Sequence, residues 1–131
     1  MELERGQEYA ACIFNSLFGD GTVFHFNGNV RNEKYIENLP DGCCVEVPVT
    51  VGPDGFTIHP VGNLPDQLAV MTNTSARSEE LAIKGCINGD KRAVYHAILF
   101  DPLTASVLSM DEIQSMVDEM FEANKQYLPQ F

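Results

Sequence analysis

From Cys44 to Val51 the chain alternates without a break, Val45, Val47, Val49 and Val51 on one side and Glu46, Pro48 and Thr50 on the other. That period of two predicts a strand with one buried face. Gly52-Pro53-Asp54-Gly55 is a turn, after which Phe56 to His59 should return antiparallel. Pro48 has no N–H to give a ladder, so an edge position or a bulge is expected there. The short β-branched and aromatic run from Thr22 to Phe26 predicts a further strand.

Elsewhere the period lengthens. Tyr9, Cys12, Ile13 and Leu17 form one stripe, which predicts a helix from Glu4 to Phe18 stopped by Gly19-Asp20-Gly21. Beyond Val61 the pattern is helical throughout. Asn63 and Pro65 start a helix running to about Asn73, with a break expected at Ser75 or Arg77. Glu79 to Asn88 then forms the next helix, closed by Gly89. Asp90 caps Lys91 to Phe100, and Asp101-Pro102 interrupts it. Ser109-x-x-Glu112 is a capping box for a last helix carrying Ile113, Met116, Val117, Met120 and Phe121 at helical spacing. The apolar tail Tyr127 to Phe131 is expected to dock. Strands first and helices after, without βαβ alternation, predict an α+β fold: a small antiparallel sheet packed with several helices in a single domain, residues 1–131.

Between strand signals lies Asn29 to Pro48, NVRNEKYIENLPDGCCVEVP. Asn29, Asn32 and Asn38 are spaced as in an ordered surface loop rather than a strand. An amide donates and accepts, which suits sugar hydroxyls; it also closes Asx turns and tolerates left-handed backbone. Both readings stand for Asn29 and Asn32. Were both to face a pocket, Arg31 between them would point to the opposite side. Glu46 is the carboxylate with the most unusual setting, either lining a site or simply facing outward from a strand.

Composition narrows the function classes. With 131 residues the chain is long enough for one real core. Nineteen acidic against eight basic side chains give a net charge of −11, which repels phosphate backbones and anionic lipid, so neither nucleic acid nor membrane is an expected partner. No apolar run approaches the roughly 20 residues that span a bilayer, and no basic-then-apolar leader precedes Tyr9, so a cytoplasmic location is expected. Cys12, Cys43, Cys44 and Cys86 lack any C-x-x-C spacing; they are expected as reduced, mostly buried thiols holding no metal. His25, His59 and His96 have no patterned partner and are expected in structural roles. No catalytic residue and no cofactor-binding residue is identified.

Four pieces in order carry a resemblance. They are Glu8-Tyr9-Ala10; Gly28-Asn29-Val30-x-Asn32 with Ile36-x-Asn38-Leu39-Pro40 and Val45-Glu46-Val47-Pro48; Gly62-x-Leu64-Pro65-x-Gln67-Leu68-Ala69; and Asn88-Gly89-Asp90 followed by Phe100-Asp101-Pro102-Leu103-Thr104-Ala105. Together they resemble the C-terminal domain of glycoside hydrolase family 4, the NAD- and manganese-dependent glycosidases that stand outside two-carboxylate hydrolysis. One departure is Glu33-Lys34-Tyr35, where the family has a small, Gly-containing segment. Leu39 to Cys44 looks like the α-galactosidase, α-glucosidase and α-galacturonidase branch rather than the phospho-sugar branch.

The resemblance implies a lactate-dehydrogenase-like C-terminal domain fold, covering about the last third of a family member. In the complete enzyme, NAD oxidises the sugar at C3, a tyrosine takes the C2 proton beside manganese, and the aglycone leaves by elimination. The nucleotide-binding domain, metal ligands and base lie upstream of the region matched, and no G-x-G-x-x-G occurs here. NAD and Mn2+ are therefore expected with the full-length enzyme and neither on this chain. The expected contribution is a wall of the α-glycoside pocket, with Asn29, Asn32 and Glu46 as substrate-binding residues, plus homo-oligomer contacts and docking to an N-terminal catalytic half. The alternative is a stand-alone, non-catalytic interaction or oligomerisation module derived from that domain.

Overall fold

The computed structural model describes residue 6, residues 8–129 and residue 131. Strands β1 (Phe24–Arg31), β2 (Cys44–Gly52) and β3 (Gly55–Ile58) form one antiparallel sheet in the order β1-β2-β3. Helix α1 (Ala10–Phe18) precedes it, and α2 (Asp66–Asn88), α3 (Lys91–Leu99), α4 (Pro102–Val107) and α5 (Met110–Asn124) follow. The fold is α+β.

The valine alternation buries as expected: Val45, Val47, Val49 and Val51 are all within 5 % of full burial. On the same side of β1, the rings of Phe24 and Phe26 meet Tyr9, with centroids 6.0 and 5.5 Å away. The Ser16 hydroxyl, buried at the end of α1, lies 2.6 Å from the Thr22 carbonyl and ties the helix to the chain entering β1.

Four expectations are corrected. The first strand runs on through Asn27, Gly28 and Asn29 to Arg31, because the long alternating partner β2 offers a ladder along its whole length. Pro48 sits in the central strand, neither at an edge nor bulged. Its carbonyl accepts the His59 N–H at 2.9 Å; the N–H and C=O of a strand residue face the same neighbour, so the missing donor also faces the β3 side, just past the last β3 residue, Ile58. The pairing with β1 loses nothing.

The expected break at Ser75 or Arg77 is absent, and α2 is one helix of 23 residues. The run from Thr72 to Ser75 contains neither Gly nor Pro, and Glu80 pairs with both Arg77 (2.8 Å) and Lys84 (2.7 Å) along the surface. The first helix starts at Ala10 rather than Glu4; Glu4 lies outside the described residues.

Gly85 sets the distance between α2 and α3. A Cβ there would stand 2.7 Å from Val94 Cγ2 and 2.9 Å from the Val94 nitrogen. Asp90 caps α3 through the Arg92 and Ala93 N–H groups, Asp101 caps α4 through Thr104, and Ser109 with Glu112 forms the expected capping box of α5. Ala97, Ile113 and Val117 are the buried apolar residues of this helical region. In the tail, Phe131 packs edge-on against Phe121 at 5.0 Å, while Tyr127 remains exposed.

The accessible surface is 9590 Å², against about 6,900 Å² for a self-contained monomer of this mass. Apolar helical side chains contribute to this surface: Val70, Met71 and Ile87 on α2, Leu103 and Val107 on α4, and Met120 on α5 are each at least 60 % exposed. No helix among the described residues is long and apolar enough to cross a membrane.

Candidate functional site

The face of the sheet opposite the valines is polar and open. His25, Asn27, Asn29 and Arg31 project from β1, and Cys44, Glu46, Pro48 and Thr50 from β2. Asn29 stands directly across from Glu46, a spacing at which their side chains lie about 5 Å apart at Cβ. One strand thus brings an amide and its neighbour a carboxylate to the same spot, both exposed. Such a pair offers donors and acceptors to a polyhydroxylated ligand. Arg31 shares this face rather than pointing away, because it lies two positions from Asn29; its guanidinium packs over Gly42.

Asn32 occupies a different place from the one expected for it. It is 1 % exposed, turned into the loop that follows β1. Its amide nitrogen donates to the carbonyls of Ile36 (2.9 Å), Pro40 (3.1 Å) and Leu39 (3.3 Å), and its amide oxygen accepts the Ile36 N–H at 3.1 Å. Its backbone adds bonds with Cys43 and Gly42, each at 2.8 Å. Around this amide the loop wraps from Asn32 to Cys43, with Ile36 and Leu39 buried against Val45 and Val47. Asn38 staples the loop to the chain before α2, its amide making reciprocal bonds to the Leu64 N–H (2.9 Å) and carbonyl (2.8 Å). Lys34 takes a positive φ of 70°, a conformation natural to glycine.

Sequence reasoning missed the grouping of two histidines. His25 Nδ1 lies 2.8 Å and His59 Nε2 2.7 Å from the same Thr50 hydroxyl oxygen. The signal was in the register. His25 pairs across with Thr50, and the tight Gly52–Gly55 turn brings His59 back to one position diagonal from Thr50. His96 stays apart on α3, beside Tyr95 and Phe100.

The cysteines are free. Burial raises the Cys43 thiol, which keeps it protonated, whereas Cys44 and Cys86 are exposed rather than buried as expected. Among the described residues no group of three or more His, Cys, Asp or Glu side chains converges as a metal site. With no glycine-rich strand-to-helix turn either, the residues present do not fit a family-type manganese or dinucleotide site, and no chemical step is assigned to them through such groups.

Comparison with known proteins agrees with the spacing of the motifs. The family model described as "Family 4 glycosyl hydrolase C-terminal domain" matches residues 1–104. An α-galactosidase of Bacillus subtilis (strain 168) is 36% identical over 98% of this chain and 29% of its own length. An α-galactosidase of Rhizobium meliloti is 33% identical over 98% of the chain and 26% of its length. A probable 6-phospho-β-glucosidase of B. subtilis is 31% identical over 98% and 29%. The fold matches a 6-phospho-α-glucosidase from gut microorganisms, solved with NAD and glucose-6-phosphate, at a TM-score of 0.77 and 26% identity, over 90% of this chain and 26% of that one. It also matches a 6-phospho-β-glucosidase of Thermotoga maritima, solved with manganese, NAD+ and glucose-6-phosphate, at 0.69 and 26% identity, over 90% and 28%. The chain spans less than a third of the length of each of these relatives. It belongs to glycoside hydrolase family 4, as a C-terminal domain of that family.

Proposed function

We propose that this chain forms a substrate-pocket wall and the subunit-contact surface of an α-galactosidase-like family 4 glycosidase acting by NAD-dependent oxidation and elimination. The observation that carries the reading is the cross-strand pair Asn29 and Glu46 on the open sheet face, within the residues that the family model matches. In this reading Asn29 and Glu46 meet sugar hydroxyls, while Asn32 acts one step back by fixing the loop that shapes their surroundings. The α-galactosidase assignment is favoured by the order of identities, with both α-galactosidases above the phospho-β-glucosidase. NAD and Mn2+ would be held by the N-terminal half of such an enzyme, where they would supply hydride exchange and make the sugar's C2 proton more acidic.

The alternative, a non-catalytic module that only associates, draws support from the large apolar surface of the helices. One experiment separates the two. The chain is fused in place of the C-terminal domain of an α-galactosidase relative, and p-nitrophenyl α-galactoside hydrolysis is followed with NAD and manganese. The fusion is expected to turn over and the chain alone to release no p-nitrophenol. Activity in the isolated chain would overturn the division of labour, and a folded but inactive fusion would favour the association module.

A further inference from the structure

We propose that His25 and His59, gathered around Thr50, form a binding site for a borderline transition-metal ion of the Ni2+, Cu2+ or Zn2+ class. The site does not depend on the glycosidase reading. Both imidazoles approach one point, His25 Nδ1 at 2.8 Å and His59 Nε2 at 2.7 Å from Thr50 Oγ1. A hydroxyl carries one hydrogen, so in the free protein Thr50 donates to one ring and accepts from the other. When both rings place their proton on the far nitrogen, both near lone pairs are directed at the point that the hydroxyl now occupies. An ion bound at about 2.0–2.1 Å from each nitrogen would take the place of the bridging hydroxyl, with both exposed rings turning in toward it.

The surroundings choose a cation of this kind. The rings line a shallow depression of about 410 Å³ with Asn27 and Pro48, on a chain whose net charge of −11 favours cations and opposes anions. No carboxylate lies in the depression, so hard ions that require oxygen ligands gain little, whereas imidazole nitrogen suits Zn2+, Cu2+ and Ni2+. Two protein nitrogens leave further positions for water or an outside ligand. Four residues of strand separate His25 from Asn29, about 13 Å, so the ion does not compete with a ligand held by Asn29 and Glu46.

The test is calorimetric titration of Ni2+ into the chain at pH 7.5, in a Cys44→Ser, Cys86→Ser background that removes the exposed thiols. One saturable site is expected, weakened at least about tenfold by His25→Gln and by His59→Gln alike and unchanged by His96→Gln. Thr50→Val, which keeps both rings, should weaken it only about two- to threefold, and Mn2+ at equal concentration should not displace Ni2+. Cu2+ electron paramagnetic resonance should show coupling to two nitrogens in the parent and to one in either single variant, a readout that does not rest on affinity. Absence of saturable binding, or binding equal in the parent and the His25→Gln, His59→Gln double variant, would overturn the proposal.

Discussion

The sheet with its loop and the helical region that follows are built on different terms. In the sheet, a continuous valine face is buried, and the loop beside it is closed by the backbone bonds of one interior amide. Among the described residues, the helices bury the apolar side chains Ala97, Ile113 and Val117 alone, while methionines, valines, leucines and isoleucines stand in water along α2, α4 and α5. The two regions draw their stability from different sources. The sheet side holds its shape from within and can present a fixed polar face. The helical side leaves apolar area uncovered, and patches beyond a few hundred Å² characteristically mark a surface for a partner.

The largest effect should come from the centre of the first region. Asn32→Ala leaves the Ile36 N–H and the Ile36, Leu39 and Pro40 carbonyls without the amide that serves them. The cost should be about 3–5 kcal/mol, or a melting temperature lower by about 10 °C or more. Thermal unfolding followed by circular dichroism checks it. A loss below about 1 kcal/mol would mean that the loop is held by Ile36 and Leu39 packing alone.

A smaller loss is expected from Gly85→Ala in the second region. The added methyl meets Val94 within 3 Å, so α2 and α3 must part. Overpacking of this kind costs about 1–3 kcal/mol, against about 1 kcal/mol gained in helix propensity. Chemical denaturation should show a net loss, with protection against amide exchange falling in α3 and unchanged in β1 and β2. A stabilised variant would show that the interhelical contact yields without cost.

Acid should separate the two regions most gently. Glu80, Asp101, Glu112 and Asp118 all lie below the usual carboxylate range. Glu80 is lowered by Lys84 and Arg77, Asp101 by Thr104, Glu112 by Ser109, and Asp118 by Lys91 and Gln114. On the sheet side Asp20 is lowered in the same way, by Thr22 and Asn15. A carboxyl whose folded value is depressed stabilises the fold above its ordinary value of about 4 and loses that contribution as pH falls through the folded value. Protection factors should therefore drop as pH falls below about 4 in α3 to α5 before they drop in β1 and β2. Equal loss in both regions would contradict the assignment.

Much of the first region was legible in the sequence, because alternation fixes which face of β2 is buried and the glycine-proline turn fixes its return. The capping box of α5 and the Asp90 cap were equally plain. Asn29 was harder to place: its neighbours Asn27 and Gly28 have poor strand propensity, and only the partner strand holds them extended. The inward turn of Asn32 is a tertiary fact, set by carbonyls up to eight residues away converging on one amide. Continuity of α2 was hidden by a polar Ser/Thr run whose helix is supported by side-chain pairing and by packing on α3. The His25 and His59 grouping followed from register, which becomes readable only after both strand pairings are fixed.

The sharpest division in the molecule is between Asn29 with Glu46, which face outward, and Asn32, which holds the loop. In the fused glycosidase, kcat/KM for p-nitrophenyl α-galactoside and the melting temperature should be measured together for Asn29→Ala, Glu46→Gln and Asn32→Ala. Asn29→Ala and Glu46→Gln are predicted to lower kcat/KM about tenfold or more, about 1.4 kcal/mol of transition-state binding, with the melting temperature unmoved. Asn32→Ala is predicted to lower the melting temperature. Normal kcat/KM in both outward-facing variants would contradict the account.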